Sequence, residues 1–228
     1  MTPPPDDPNE RPAFASPPCF LHELSEAEGG LPASPDPVQA QDVARWRRAE
    51  RTRLLAERAA LPVATRQAAA QAIGAALDRY LPDLAGQIVS GWWPIKAELD
   101  LRPWLAGIGE RGGQAALPLV TEPGQPLRFR LWHPGTKMER GFWNIPVPAE
   151  GDWVTPTIAL APVVGHDPAC YRLGYGGGYF DRTLALLDAA CRPVGIGLAS
   201  SLVPTIFPQP HDIPMRVVIT EKGIRTPV

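Results

Sequence analysis

The chain has 228 residues, 44% of them hydrophobic, which is enough for one α/β domain with a sizeable core plus an appendage. A formal charge of -2 and a pI near 6.1 argue against a general nucleic-acid or membrane-surface binder. No apolar run is long enough to span a bilayer, and Met1 to Asp7 carries no basic segment of a secretory signal. The three cysteines, Cys19, Cys170 and Cys191, form no metal pattern, and their odd number points to a reducing cytoplasm.

Residues 1–40 are rich in proline and are expected to be a disordered arm, or one lying on the domain through Phe14, Cys19, Phe20 and Leu21. The folded domain is expected over 41–228. Asp42 to Ala59 reads as a helix with Arg47, Arg51 and Arg58 close to one face. Spacing alone makes that an ordinary solvated basic face. Thr65 to Tyr80 reads as a second helix, and Gln87 to Trp93 as an apolar strand. In the run Trp93-Pro94-Ile95-Lys96-Ala97-Glu98-Leu99-Asp100, Glu98 is either a ligand-binding carboxylate or a first-turn acid of a helix at Leu99 to Leu105. Gln114 to Val120 is a buried strand, and the strictly alternating Leu127 to Trp132 is a half-buried, antiparallel one. Trp143 is open between core packing and ligand stacking.

Thr157 to Val164 is a buried strand leading to Arg172-Leu173-Gly174-Tyr175-Gly176-Gly177-Gly178-Tyr179-Phe180-Asp181-Arg182, with a helix starting near Asp181. Four glycines in five residues, running into a helix start, aim several N–H groups at one point, as a phosphate requires. The spacing is neither a Walker loop, which needs Gly-Lys-Ser/Thr, nor a dinucleotide fingerprint. Val194 to Ala199 and Met215 to Thr220 are further strands, separated by a proline-rich loop bearing His211-Asp212. Strands interleaved with helices argue a mostly parallel sheet covered on both faces, with ligands outside the carboxyl ends of the strands. From the residues alone Asp181 is open between ligand and helix N-cap, and Asp212 between ligand and turn acid. His166 reads as a turn residue and Cys170 as an inert loop thiol, since neither has a partner at metal or catalytic spacing.

The glycine stretch resembles the signature of the 5-formyltetrahydrofolate cyclo-ligase (5,10-methenyltetrahydrofolate synthetase) family: Arg-Leu-Gly, a short glycine run, two aromatics, then Asp-Arg. The resemblance covers roughly residues 45–222 and implies a NagB/RpiA/CoA-transferase-like α/β fold. It also implies ATP- and Mg²⁺-dependent closure of 5-formyltetrahydrofolate to 5,10-methenyltetrahydrofolate. It assigns ATP to Arg47, Arg51, Arg172, Leu173, Gly174, Tyr175, Gly176, Gly177, Gly178, Tyr179 and Phe180, with Arg182 as a further cation. Arg172 and Tyr179 would be catalytic, Asp181 and Asp212 would hold Mg²⁺, and Trp93, Glu98, Trp143, Tyr175 and Tyr179 would hold the folate. The protein is then expected to be a cytoplasmic monomer or weak homo-oligomer that binds neither nucleic acid nor membrane. The other readings are a family member acting on another formyl or amide substrate, and a non-catalytic folate- or nucleotide-binding module. Several positions depart from the family pattern. Arg47 replaces a lysine, Gly177 replaces a lysine found in many members, and Phe180 replaces the second tyrosine. Cys170 stands where a glycine turns the chain before Arg-Leu-Gly, and His166 where an aromatic or apolar residue is usual.

Overall fold

The computed structural model describes residues 37–187 and 189–228. Cys19 and nearly all of the expected arm lie outside the described residues. The chain divides into two compact units at Arg53/Leu54, inside the first of the described helices. That helix, α1 (Pro37–Ala60), begins five residues before the expected Asp42. A proline at the first helical position costs nothing, because its missing N–H has no partner there anyway.

The second unit, Leu54–Val228, is built on a mixed sheet. Helix α2 (Val63–Tyr80) follows the proline at its N-cap and buries Ala69, Ala70, Ile73, Ala76 and Leu77 along one face. Then come β1 (Ile88–Ser90), the short α3 (Arg102–Ala106) and β2 (Gln114–Leu119). Next are β3 (Arg128–Trp132), the hairpin β4 (Met138–Arg140) with β5 (Pro146–Pro148), and β6 (Trp153–Val154). The central β7 (Ile158–Pro162) is followed by the two-residue strands β8 (Gly165–His166) and β9 (Arg172–Leu173). Helix α4 (Tyr179–Leu186), β10 (Arg192–Ile196), β11 (Val217–Thr220) and β12 (Gly223–Arg225) close the chain.

The eight-stranded sheet runs β12-β11-β10-β7-β1-β2-β3-β6. Its five inner strands are parallel, and antiparallel strands finish both edges. β3 is antiparallel, as its alternation anticipates. Strand periodicity divides the core between the two faces. Ile158 and Leu160 of β7 join α2, Leu105 and Ile196 on one face. Ala159 and Ala161 join Leu184 of α4, Met215 and Val218 on the other.

The small β8–β9 hairpin delivers the glycine loop. Its turn is made by Cys170 at φ 62, in the left-handed region that costs a non-glycine residue about 1–2 kcal/mol. Cys170 is fully buried, its Sγ donates to the Arg225 carbonyl at 3.6 Å, and burial raises its pKa, so it is an inert thiol in a glycine's conformation.

His166 is buried within β8 and is no surface turn residue. Burial, then the charge of Arg225, lower its pKa to about 4, against the opposing pull of the Leu198 and Asp167 backbone and of Glu221. An imidazole whose pKa falls below its unfolded value near 6.5 contributes stability that is complete above pH 6.5 and lost as pH drops toward 4. The full difference is about 3 kcal/mol. Urea unfolding between pH 4 and 7 should therefore show a steep acid limb in the native protein and a flatter one in His166→Gln. Parallel limbs would reject the assignment.

A glycine loop joining three side-chain clusters

The loop Gly174–Gly178 links β9 to α4. Gly176 (φ 93) and Gly178 (φ 64) are left-handed, and Gly178 caps α4 with no side-chain hydrogen bond. A Cβ at Gly174 would lie 2.6 Å from Nη1 of Arg172, and one at Gly178 2.7 Å from Nη1 of Arg182. Arg182 Nη2 donates to the Gly177 carbonyl at 2.6 Å, so this arginine ties the loop to its own helix. A different group of side chains sits at each part of the loop.

The first group lies below it. Arg172 is buried, its Nη2 is 3.0 Å from Oδ2 of Asp181, and its guanidinium lies 5.3 Å from the centre of the Phe180 ring. Burial lowers its pKa, while Asp181 and Asp212 both hold the charge on. Asp181 is therefore not the helix N-cap; Gly178 occupies that position. Asp181 Oδ1 also accepts the Ile213 N–H at 3.4 Å, and Asp212 Oδ2 accepts the Gln209 N–H at 2.6 Å. Helix α4 and the loop before β11 thus each bring an aspartate to bear on one guanidinium. No cluster of three or more His, Cys, Asp or Glu gathers among the described residues. Two aspartates that both act on one guanidinium could between them hold a hard cation that fills its shell with water and phosphate oxygens, which is the donor set magnesium takes.

The second group begins at Tyr175. Its hydroxyl accepts a hydrogen bond from Arg58 Nη2 and is hydrogen-bonded to Glu98. Burial, then the Glu98 charge, raise the Tyr175 pKa. Arg58 Nη2 also donates to the Lys96 carbonyl at 3.1 Å, and Lys96 Nζ lies 5.8 Å from the Tyr175 ring centre. Arg58 is only 7% exposed, so it does not belong to a solvated basic face. Glu98 is not a helix cap either, because α3 starts four residues later with Leu101 as its N-cap. Instead Glu98 Oε2 accepts the Ile95 N–H at 2.8 Å, while its own N–H donates to the Ile95 carbonyl at 2.9 Å. Both central residues of this turn, Lys96 (φ 47) and Ala97 (φ 61), are left-handed, the pattern of a type I′ turn made without glycine or asparagine. Burial raises the Glu98 pKa, opposed by the Ile95 N–H, Tyr175, Arg58 and Trp92.

Glu98 borders two spaces. One is a cavity of about 20 Å³ shared with Arg58, Trp92 and Ser201, room for little more than a water. The other is a groove of about 820 Å³ between α2 and the Pro94–Trp104 stretch, which lies in the size range of small-molecule sites. Trp93 stands beside this turn with the Arg102 guanidinium 4.4 Å from its ring centre, and Asp100 pairs with that guanidinium.

The third group is aromatic. Trp143 is 63% exposed, so core packing does not explain it. It sits at φ 54 in the turn joining β4 to β5, edge-on to Tyr179 with ring centres 5.3 Å apart. Phe142 lies 4.6 Å from it. Tyr179 Oη accepts the Gly124 N–H at 3.1 Å, and Thr183 of α4 accepts the Leu127 N–H at 2.8 Å.

Of the expected site residues, Glu98 is tied to this loop through Tyr175, Trp143 through Tyr179, and Asp181 and Asp212 through Arg172, while Trp93 packs against Arg102. Arg58, Lys96 and Trp92 join them, though the sequence marks none of them as site residues; the length and charge of Arg58, beside arginines with a proposed role, is the only hint. Arg47 and Arg51 belong to the first unit. There Arg51 is pushed below its ordinary pKa by burial and by the charges of Arg47 and Arg48. Phe180 packs with the second core and against Arg172.

Comparison with known proteins points to one family. The 5-formyltetrahydrofolate cyclo-ligase family model matches residues 43–221. A 5-formyltetrahydrofolate cyclo-ligase of Mycolicibacterium smegmatis is 30% identical over 181 residues, 75% of this chain and 92% of the relative. One from Escherichia coli K12 is 27% identical over 152 residues, 64% of this chain and 84% of the relative. Among solved structures, a 5,10-methenyltetrahydrofolate synthetase of Aquifex aeolicus superposes with a TM-score of 0.68 at 25% identity, covering 79% of this chain and 92% of that one. The fold is also that of a synthetase from Mycoplasma pneumoniae, with a TM-score of 0.64 at 22% identity, covering 77% and 98%.

Proposed function

The chain belongs to the 5-formyltetrahydrofolate cyclo-ligase family and is an enzyme of that class, and from this we propose that it uses ATP and Mg²⁺ to close 5-formyltetrahydrofolate to 5,10-methenyltetrahydrofolate. The observation that carries the proposal is the placement of the glycine loop. Through Tyr175 it touches a buried carboxylate beside an open groove, and through Arg172 a pair of aspartates suited to a magnesium phosphate.

An amide oxygen is a poor leaving group. ATP supplies the phosphoryl group that converts the N5-formyl oxygen into a good one. N10 then attacks the formyl carbon, phosphate departs with that oxygen, and N10 gives up its proton. The residues supply position and charge. The N–H groups of the loop would cradle the phosphates, as the lack of Cβ atoms at Gly174, Gly176, Gly177 and Gly178 allows close approach. Arg172 would balance the phosphate charge, and Asp181 and Asp212 would hold the metal. Glu98 would accept the donors of the pterin ring, a planar row of N–H groups that one carboxylate can take together. Trp143 and Tyr179 present ring faces and edges for the aromatic part of the substrate. Phe180 lacks the second tyrosine's hydroxyl; its place under Arg172 supports a packing role. No helix among the described residues is long and apolar enough to cross a membrane.

The direct test is absorbance at the methenyltetrahydrofolate band, with purified protein, 5-formyltetrahydrofolate and Mg-ATP. A rise that disappears on omitting ATP or on chelating Mg²⁺ is expected. A flat trace in the complete mixture would reject the reaction.

A further inference from the structure

Arg58 is buried at 7% exposure, yet it forms no ion pair among the described residues, and its Nε has no hydrogen-bond partner there. Its Nη2 bridges two neutral oxygens instead, the Tyr175 hydroxyl and, at 3.1 Å, the Lys96 carbonyl. The balancing carboxylate stands one step further on. Tyr175 is hydrogen-bonded to Glu98, and the Arg58 charge acts on Glu98 across it. A buried charge is costly unless it is directly paired, so stability alone does not account for this arrangement. Tyr175 is the one side chain in the run Gly174–Gly178, and it is therefore the handle by which the loop is held from that side. Lys96 belongs to the Ile95–Glu98 turn, whose left-handed pair persists only while its surroundings hold it. Arg58 fastens the loop and the turn to each other, and all of these residues lie within the second unit.

We propose that Arg58 is a positioning residue that couples two binding sites: a nucleotide phosphate that orders the glycine loop also fixes the turn that carries Glu98, and a pterin held by Glu98 in turn tightens the loop. The inference rests on the reading above, which gives phosphate to the loop and the pterin to Glu98. The connecting chain has one direction. The guanidinium N–H donates to the Tyr175 oxygen, and the Tyr175 O–H donates to the carboxylate, so each bond polarises the next. Burial and the Glu98 charge raise the Tyr175 pKa, which keeps that proton in place. Coupling between binding sites is reciprocal, so each ligand raises the affinity of the other by the same factor, about tenfold for a link of this kind.

The test measures the coupling itself. The full chain is titrated calorimetrically with 5-formyltetrahydrofolate, first alone and then with saturating Mg-ADP. ADP lacks the phosphoryl group that would meet the formyl oxygen, so any coupling has to pass through the protein. The ratio of the two dissociation constants should be about tenfold in the native protein and should collapse to near unity in Arg58→Met and in Tyr175→Phe. The double variant should show no further loss, because both changes cut the same link. A purely structural role for Arg58 would weaken both titrations and leave the ratio intact. A ratio near unity in the native protein, or one undiminished in both variants, would overturn the inference. If Arg58→Met fails to fold, Tyr175→Phe decides alone. The outcomes separate from those of the reaction. Failure of either ligand to bind rejects the cyclo-ligase reading and this inference with it, while turnover and binding of both ligands without coupling reject the inference alone.

Discussion

Asp181→Ala should abolish Mg-ATP-dependent turnover and also cost about 3–5 kcal/mol of stability. The stability cost arises because the carboxylate neutralises a guanidinium that is itself buried, with Nη2 to Oδ2 at 3.0 Å. Removing one partner of a buried pair strands the other charge, and that penalty, rather than the net worth of the pair, sets the magnitude. Chemical denaturation of Asp181→Ala beside the double variant Asp181→Leu/Arg172→Met separates the two effects. The double variant should recover most of the stability and none of the activity. A single variant as stable as the native protein would mean that the pair is not formed, and retained turnover would remove Asp181 from the metal site. Asp212→Asn gives a complementary reading, since Asp212 has a smaller electrostatic effect on Arg172 than Asp181 has: activity should fall with less loss of stability.

Glu98→Gln should raise the KM for 5-formyltetrahydrofolate about a hundredfold and leave the KM for ATP near its native value. A hydrogen bond to a charged acceptor contributes about 1.5–3 kcal/mol, and the upper end corresponds to that factor. Glutamine keeps the shape and one acceptor for the Ile95 N–H, so the turn should survive, but its amide turns a donor toward the ligand's donors. Steady-state kinetics with each substrate varied in turn decides the matter. An unchanged folate KM would leave Glu98 as the closure of its own turn and nothing more.

The legible parts of this protein are those coded by local pattern. The alternation of Leu127 to Trp132 gives β3, and the flanks of the glycine run give the loop, its helix and Asp181. The short strands escape detection because two or three residues carry no period; β8 and β9 exist only because each pairs with the other. β12 is hidden for the same reason, behind a turn at Gly223 (φ 123). The partners within the site are less legible still. Nothing local says that Arg58, at the end of a helix full of arginines, turns inward to Tyr175, 117 residues later. Nor does Lys96-Ala97 look like a left-handed pair, since residues that favour that conformation are absent. The placing of Trp143 needed the structure as well: tryptophan is usually buried, and only the turn at φ 54 holds this one out.

That left-handed pair sets a conflict for adaptation to heat. Two non-glycine residues at positive φ hold roughly 2–4 kcal/mol of conformational strain, which Asn-Gly at 96 and 97 would largely release. A lineage selected only for thermal endurance is drawn to this turn as one of its cheapest improvements. The same exchange deletes the ammonium beside Tyr175 and loosens the frame around Glu98. Selection for catalysis and selection for endurance therefore pull residues 96 and 97 in opposite directions, and warm-adapted descendants that keep the reaction must find their gains elsewhere in the chain.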